Sequence, residues 1–357
     1  MRLALLTEIP APYRIPLFNA LSERVDLRVL FLAERDPRRG FYELHRDEWR
    51  FDNRVLRGTQ LQRDGRWLVL NRAVVRELRR FRPDAVAVGG WNQPAFWLAL
   101  AYCRLRRIPL LVWIESTARD ARSEARPLAF ARAAMVRGAS GAYVPGTASA
   151  AYARSLGVEL VETAPNAIDA SVFERAAVDR SGRGGCTFLY AGRFDPEKGL
   201  DALLEAFRDV PGELVLVGGG SDERRLRGLA GERVRFEGPV DRDELVGYYR
   251  DADVFVLPSR SEPWGMVLNE AAAAGLPLVA TEESGAAQDL IDGNGFRVPA
   301  DDAPALRAAL RRLADDPELR QTYGARSREL AKRLTPEAWA EGVANAAGRA
   351  LRRTDRR

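Results

Sequence analysis

The sequence predicts an α/β protein made of two doubly wound, Rossmann-like domains, each a mainly parallel sheet with helices on both faces. Short apolar runs alternate with segments of helical period along most of the 357 residues, as expected of parallel β/α units. This length suits two domains that each have a core. Residues 178–185 carry charge, serine and three glycines without an apolar period, which is a linker composition.

The first domain is expected over residues 1–168. Its predicted strands are Arg2–Thr7, Leu27–Leu32, Ala85–Gly89, Pro109–Ile114 and Gly141–Val144. Its predicted helices are Ile15–Val25, Arg72–Phe81, Pro94–Arg107, Ala129–Arg137 and Ser149–Leu156. The polar stretch Ala33–Arg66 is predicted without regular elements, and it holds the only histidine, His45, as a surface residue.

The second domain is expected over residues 169–335. Its predicted strands are Thr187–Ala191, Glu213–Val217, Val234–Phe236, Val254–Leu257, Pro277–Ala280 and Phe296–Val298. Its predicted helices are Leu200–Phe207, Glu223–Leu229, Asp243–Arg250, Gly265–Ala274, Ala303–Ala314 and Pro317–Arg333, and a last helix covers Pro336–Arg352.

The stretch Ser259–Thr281 is the centre of the functional interpretation. It contains the loop and helix between two parallel strands, and ligands bind at the carboxyl ends of such strands. Glu262 comes just before the predicted helix, and Glu270 lies about one and a half turns inside it. The free amides of a helix N-terminus suit a phosphate, and carboxylates accept from sugar hydroxyls. Taken alone, the pattern favours the simpler interpretation, in which Glu262 is a capping acid and Glu270 a solvated surface acid.

A second candidate segment is Gly192–Gly199, where Arg193 and Lys198 lie between a strand and a helix. Two cations beside a helix N-terminus favour a diphosphate site. The chain has 53 Arg and only two Lys, so a lysine here indicates that a compact ammonium is needed instead of a guanidinium. The alternative is a pair of solvated surface cations.

The stretch Ser259–Thr281 resembles the donor-sugar motif of retaining glycosyltransferases of family 4, which have the GT-B fold with a cleft between two Rossmann-like domains. The resemblance implies that Glu262 contacts the donor sugar and Glu270 the ribose. It also implies that Arg193 and Lys198 bind the leaving diphosphate. The remaining donor-binding residues that it implies are Gly192, Gly218, Gly219, Val240, Pro263, Trp264, Gly265, Met266 and Val267.

The first half departs from the family pattern. Glu8–Pro16 replaces the usual glycine-rich loop and is similar to a subgroup of polysaccharide glycosyltransferases. Glu115 follows a strand where many members have histidine. It is either a capping or buried paired acid, or a fourth catalytic residue that contacts donor sugar or acceptor; its place at a strand end favours function. Gly89–Asn92 ends the preceding strand and is expected on the acceptor side.

The resemblance implies retaining hexosyl transfer from a UDP- or GDP-sugar to a glycan or to a polyprenyl-diphosphate-linked glycan. We expect no metal and no cofactor, because cations and a helix N-terminus would stabilise the departing diphosphate. Asp251-Ala252-Asp253 matches a metal-binding D-x-D pattern, but it precedes its strand and is interpreted as a coincidence. By the same resemblance, residues 336–357 should cross back to the first domain.

Two alternatives remain. One is a GT-B-like sugar-nucleotide 2-epimerase, which the scarcity of histidine and the glutamate pair disfavour. The other is a non-catalytic subunit that binds a nucleotide sugar, which the missing histidine leaves open.

Composition limits the setting. The apolar run at residues 1–7 is too short for a signal peptide, and Cys103 and Cys186 are expected as free thiols of the cytoplasm. Residues 1–168 carry a net charge of +10 and the remainder −5. The basic half fits a phosphate-bearing acceptor or an anionic membrane surface, and from this a peripheral position at the inner membrane face is expected. The alternative, which is favoured for most of these arginines, is an ordinary solvated surface. The chain shows no nucleic-acid motif.

Overall fold

A computed structural model of the chain describes residues 1–36, 44–63, 66–119, 126–180, 182 and 184–354. It contains two compact units. The first consists of Met1–Ser116, Ala121–Asn166 and Pro336–Arg357, and the second of Thr117–Asp120 and Ala167–Thr335. Parts of the predicted polar stretch (37–43 and 64–65) and of the predicted linker (181 and 183) lie outside the described residues.

The first unit is built on a seven-stranded parallel sheet and a separate antiparallel hairpin. Its strands are β1 (Arg2–Thr7), β2 (Asp26–Phe31), β3 (Asp52–Val55), β4 (Thr59–Arg63), β5 (Arg66–Leu70), β6 (Ala85–Val88), β7 (Leu110–Trp113), β8 (Gly141–Val144) and β9 (Val161–Thr163). The sheet has the order β3-β2-β1-β6-β7-β8-β9, and β4–β5 form the hairpin. Strands β6, β7 and β8 are buried along their whole length, because helices cover both faces of a parallel sheet.

Helices of the first unit connect these strands: α1 (Ile15–Ser22), α2 (Ala73–Phe81), α3 (Pro94–Arg106), α4 (Arg126–Gly138) and α5 (Thr147–Ser155). Helices α2 and α3 each end one residue before an arginine in the left-handed region, Arg82 and Arg107. The free carbonyls of these helix ends favour the positive side chains.

The second unit contains a six-stranded parallel sheet. Its strands are β10 (Thr187–Arg193), β11 (Glu213–Gly219), β12 (Val234–Glu237), β13 (Val254–Leu257), β14 (Leu278–Thr281) and β15 (Gly295–Val298). Its helices are α6 (Ala170–Glu174), α7 (Leu200–Phe207), α8 (Glu223–Leu229), α9 (Arg242–Asp251), α10 (Met266–Ala273), α11 (Ala287–Leu290), α12 (Ala303–Asp315) and α13 (Pro317–Ala331). The strand order is β12-β11-β10-β13-β14-β15.

Helix α14 (Pro336–Thr354) belongs to the first unit, although the chain reaches it only after the second. Its Trp339 is 3% exposed. The indole ring lies 6.0 Å from the ring of Phe18, 6.2 Å from Trp113 and 6.4 Å from Tyr143, measured between centroids. This aromatic cluster joins α14 to α1 and to the strands β7 and β8.

Both parallel sheets reverse their strand order once, between β1 and β6 and between β10 and β13. Each sheet is therefore doubly wound, and the prediction of two Rossmann-like α/β domains is confirmed. In such sheets, ligands bind at the carboxyl ends of the two strands that flank the reversal.

Three strand pairings were not predicted. They are the pairing of edge strand β3 with β2, that of edge strand β9 with β8, and the hairpin β4–β5. The hairpin crosses Arg66, where the predicted polar stretch ends. Strand β3 reads Asp-Asn-Arg-Val and has no buried residue, so its pairing comes from main-chain hydrogen bonds and leaves no apolar signal in the sequence.

Candidate functional site

In the second unit, the loops after β10 and β13 touch at the reversal of strand order. The first loop makes a 3-10 turn at Pro196–Lys198 and enters α7 through Gly199, whose φ is +64°. A Cβ on Gly199 would lie 2.2 Å from the carbonyl oxygen of Pro258. The amide of Arg260 donates to the carbonyl of Glu197 at 2.8 Å. The two loops are thus held together by a contact that only glycine permits.

Lys198 and Glu262, one from each loop, form an ion pair. Lys198 Nζ donates to Glu262 Oε2 at 2.5 Å, and the side chains are 12% and 15% exposed. In a pair with so little solvent, the attraction between the two groups offsets part of the cost of their desolvation. The fold therefore presents an ammonium and a carboxylate, 64 residues apart in the chain, as one preformed unit.

Arg193 has different surroundings. Its side chain is 63% exposed and contacts Asp195 and Glu197, the latter at 3.0 Å. Partial burial acts to raise the pKa of Asp195, but hydrogen bonds from Ser221 and the charge of Arg193 outweigh it and lower that pKa. Arg193 is thus held by carboxylates of its own loop, while Lys198 joins the loop after β13.

The loop after β13 is fixed by main-chain bonds. The amide of Gly285 donates to the carbonyl of Glu262 at 3.0 Å, and Gly265 ends the loop before Met266 begins α10. The Trp264 side chain is 2% exposed and donates through Nε1 to Asn269 Oδ1. Of the predicted segment Pro263–Val267, Trp264 therefore has only main-chain atoms to offer a ligand. The amides of Met266 and Val267 lie in the first turn of α10, where helix N–H groups lack helical partners.

Glu270 lies on α10 beside a buried tyrosine. Tyr249 OH donates to Glu270 Oε2 at 2.8 Å. Burial raises the pKa of Glu270 from 4.5 to about 7, although the Tyr249 hydrogen bond and the charge of Arg242 act in the opposite direction. Burial likewise raises the pKa of Tyr249 well above its ordinary value. Near neutral pH, Glu270 therefore accepts the Tyr249 hydrogen bond while its carboxyl group is close to half-protonated.

The predicted glycine pair lies at the end of β11. Gly218 has φ +132°, and a Cβ there would lie 2.0 Å from the carbonyl oxygen of Gly192 on β10. Gly218 thus allows the close approach of two strand ends. Gly219 ends β11, and Val240 follows β12 by three residues, partly buried.

In the first unit, a cavity of about 370 Å³ lies at the other reversal, at the carboxyl ends of β1, β6 and β7. Its lining includes Glu8, Arg14, Asn92, Trp113 and Glu115. The predicted residue Glu115 accepts a hydrogen bond from Asn166 Nδ2 at its Oε1, at 2.6 Å. Its carboxylate is thus oriented by a buried amide.

Glu8 and Arg14 were not predicted as individual site residues. Glu8 Oε1 accepts from Asn92 Nδ2 at 2.6 Å and from Gln93 Nε2 at 2.8 Å. Burial acts to lower the pKa of Arg14, but the neighbouring Tyr13 and Glu115 outweigh it and raise that pKa. The sequence did contain a signal for both residues, because they lie in the loop directly after the first strand. In a doubly wound sheet, the first strand borders the reversal of strand order, so its following loop lies at the ligand site.

The remaining predicted features lie elsewhere. His45 is exposed beside a 3-10 turn in the first unit. Asp253 precedes β13 and accepts from the amide of Thr187 at 2.8 Å, so the D-x-D triplet is at the amino edge of the sheet. Within the described residues, no group of three or more His, Cys, Asp or Glu is placed to hold a metal ion, and no described helix is long and apolar enough to cross a membrane.

Comparison with known proteins gives one family match. Residues 179–330 match the family of glycosyl transferases group 1, and this range contains every predicted donor-binding residue.

Two curated relatives illustrate the sequence similarity. The phosphatidyl-myo-inositol mannosyltransferase of Mycolicibacterium smegmatis is 40% identical over 189 residues, which are 49% of this chain and 48% of that protein. The glycogen synthase of Mycobacterium tuberculosis is 37% identical over 183 residues, 48% of this chain and 43% of that protein. The chain thus spans about half the length of the curated relatives it matches.

Solved structures are similar over nearly the whole chain. Anabaena HepE in complex with UDP superimposes with a TM-score of 0.77 at 17% identity, covering 98% of this chain and 100% of that one. Sucrose-phosphate synthase from Thermosynechococcus elongatus gives 0.73 at 24% identity, covering 99% and 98%. At such identities the likeness concerns the fold. The chain therefore has the GT-B architecture, and its residues 179–330 are similar to the glycosyl transferases group 1.

Proposed function

We propose that this protein is a retaining glycosyltransferase of family 4. It would transfer a hexose from a UDP- or GDP-sugar to a glycan or a polyprenyl-diphosphate-linked glycan. The observation that carries the proposal is the Lys198–Glu262 pair at the strand reversal of the second sheet. It lies inside the matched family range, beside the first turn of α10.

The donor would bind along this edge of the sheet. Lys198 and the amides of Met266 and Val267 offer positive charge and N–H groups to the diphosphate. Glu262 is free to accept from sugar hydroxyls with the oxygen that Lys198 does not occupy, and Glu270 accepts from the ribose. Arg193 would leave its carboxylate partners for the diphosphate, and its exposure makes that exchange cheap.

In the reaction, the acceptor hydroxyl oxygen forms a bond to the anomeric carbon on the face from which the diphosphate departs. The bond between that carbon and the diphosphate oxygen breaks, and the electron pair leaves with the diphosphate. The acceptor proton passes to that same oxygen. Lys198, Arg193 and the α10 amides stabilise the charge that develops on the diphosphate. This set of groups supports a reaction without metal or cofactor.

The acceptor would occupy the cavity of the first unit that contains Glu115. This cavity combines the carboxylates of Glu8 and Glu115 with the rings of Trp91 and Trp113. Carboxylates accept from sugar hydroxyls, and aromatic faces pack against the apolar faces of sugar rings. Glu115, held by Asn166, would position the acceptor or the donor sugar.

Similar proteins and the charge of the first half support the proposed donor and acceptor classes. HepE has been solved with UDP and with UDP-glucose, and one curated relative is named for mannosyl transfer to phosphatidyl-myo-inositol. The net charge of +10 on residues 1–168 favours a phosphate-bearing acceptor at the inner membrane face. We therefore propose a cytoplasmic, peripheral location for this enzyme.

The test is a thermal-shift titration with UDP, GDP, ADP and TDP on the wild type, Lys198→Ala and Lys332→Ala. Lys332 is the only other lysine and is exposed at the end of α13, so its variant makes the same chemical change away from the site. A nucleotide at 100 times its Kd should add about 2.7 kcal/mol to stability. We expect this gain in the wild type and Lys332→Ala, and its loss in Lys198→Ala.

Turnover is measured next, as release of free nucleoside diphosphate in the presence of acceptor glycans. Removing Lys198 should lower the rate on the order of 10²-fold, with Lys332→Ala unchanged. Wild-type turnover in Lys198→Ala would contradict the mechanism. Donor isomerisation without diphosphate release would identify an epimerase, and binding without any turnover would identify a non-catalytic subunit.

A further inference from the structure

A cavity of about 690 Å³ opens in the first unit at the edge of the sheet opposite to Glu115. Its lining includes residues that lie one or two positions before three strands: Ile108 before β7, Ser140 before β8 and Glu159 before β9. The ends of α3, α4 and α14 complete the lining. The Glu115 cavity lies at the carboxyl ends of the same sheet, so the two cavities are separate.

The lining is strongly basic. Four arginines, Arg104, Arg107, Arg137 and Arg353, face a single carboxylate, Glu159. Arg353 Nη1 lies 3.5 Å from Glu159 Oε2. Arg104, Arg107 and Arg137 form no ion pair with any residue in the described part of the chain. Among the described residues, these three guanidinium groups thus line one concave space without forming an ion pair, and Glu159 is paired with Arg353.

The arrangement is built into the packing. A Cβ on Gly138, the last residue of α4, would lie 3.2 Å from Arg104 Nη2. The Arg104 guanidinium therefore lies over the end of α4, where it is exposed to solvent on its other side. Arg137 is anchored through Nε, which donates to the carbonyl of Ala133 at 3.2 Å. The carbonyl ends of helices favour cations, which explains why arginines are stable here without a bound acid.

We propose that this cavity is a binding site for phosphate groups. Guanidinium groups donate in pairs to phosphate oxygens, and several of them in a half-enclosed space raise the local affinity for a polyanion. The phosphate can belong to a soluble phosphorylated molecule or to the headgroup of a phospholipid. Leu105, 79% exposed between Arg104 and Arg106, would lie against the acyl region in the second case. The site is independent of the donor site and of the proposed activity.

The experiment uses the full chain and two charge-matched double variants. Arg104→Ala with Arg137→Ala removes two cavity arginines, whereas Arg79→Ala with Arg80→Ala removes two exposed arginines of α2. Inorganic diphosphate is titrated by calorimetry into the wild type, both double variants and Lys198→Ala, which reports on the donor site. In parallel, co-sedimentation is measured with vesicles of phosphatidylglycerol and of phosphatidylcholine.

The cavity variant (Arg104→Ala with Arg137→Ala) loses two charge-assisted hydrogen-bond donors, so its Kd for diphosphate at the cavity should rise at least about tenfold. The α2 variant (Arg79→Ala with Arg80→Ala) and Lys198→Ala should bind diphosphate at the cavity as the wild type does. That result supports the site for a soluble phosphate. Loss of phosphatidylglycerol binding in the cavity variant alone supports the site for a headgroup. The proposal is overturned if the cavity variant matches the α2 variant with both ligands, whether or not Lys198→Ala loses diphosphate binding at the donor site.

Discussion

Glu270 makes the stability of the second unit depend on pH in an unusual direction. The pKa of Glu270 is about 7 in the folded protein, compared with 4.5 for a glutamate that is not buried, as in the unfolded chain. The folded state then binds a proton that the unfolded state has already lost. Between pH 4.5 and 7, stability therefore falls as the pH rises, and above pH 7 the full loss is present. Replacing Glu270 by Gln removes this ionisation and keeps an oxygen that can accept from Tyr249.

Each pH unit in this interval lowers the free energy of unfolding by about 1.4 kcal/mol. Over the interval from 4.5 to about 7, the total loss in the free energy of unfolding is roughly 3 kcal/mol. This is an upper figure, because Glu270 is only half-buried and solvent screens part of the effect. Glu270→Gln should thus be more stable than the wild type at pH 8 and equally stable at pH 4.5. For a unit of this size, that difference raises the Tm at pH 8 by up to about 6–12 °C.

Differential scanning calorimetry from pH 4.5 to 8 measures both proteins, with Glu205→Gln as the control. Glu205 is an exposed glutamate on α7 of the same unit, so its variant makes the same chemical change at the surface. Only the difference between each variant and the wild type is interpreted, since other groups titrate in both. A Tm difference for Glu270→Gln that is constant with pH, or that equals the Glu205→Gln difference, would refute the reasoning.

Changes at three further positions test the packing around the two sites. Gly199→Ala places a methyl against the Pro258 carbonyl at a positive φ, so we expect a loss of about 3 kcal/mol in urea unfolding and weaker nucleotide binding. Trp339→Ala should destabilise the first unit by about 3–5 kcal/mol. Trp339→Phe should cost far less, because the Trp339 indole N–H has no partner among the described residues. Glu115→Gln keeps an oxygen that accepts from Asn166 but replaces the second carboxylate oxygen by an NH2 donor, so we expect a lower kcat with little change in nucleotide-induced stabilisation; an unchanged kcat would assign Glu115 a structural role.

The central strands were predictable because they are apolar on both faces. Strands β6, β7, β8, β13 and β14 are buried throughout, and their sequence runs coincide with the predicted ones to within a residue or two. The hairpin strand β5 was hidden for the opposite reason. Trp67 and Val69 are buried, yet Leu68 and Leu70 on the other face are apolar and exposed, so the strand lacks the alternation of polar and apolar residues that identifies it.

The sequence predicted which segments form the candidate site, but not which of their side chains contact each other. Lys198 and Glu262 were each placed on a loop at a strand end, with separate roles. Their ion pair depends on β10 and β13 being neighbours, which is a property of strand order and leaves no trace in local sequence. The partnership of Tyr249 with Glu270 was missed for the same reason, since it joins α9 to α10 across 21 residues.

The discontinuous first unit has a consequence for biosynthesis. Residues 167–335 form the body of the second unit, whereas the first needs residues 336–354 to cover Phe18, Trp113 and Tyr143. On the ribosome, the first unit begins to emerge earlier but is completed later. Its aromatic face stays uncovered while some 170 residues are translated. Nascent chains stalled before residue 336 should therefore recruit chaperones to the first unit and not to the second.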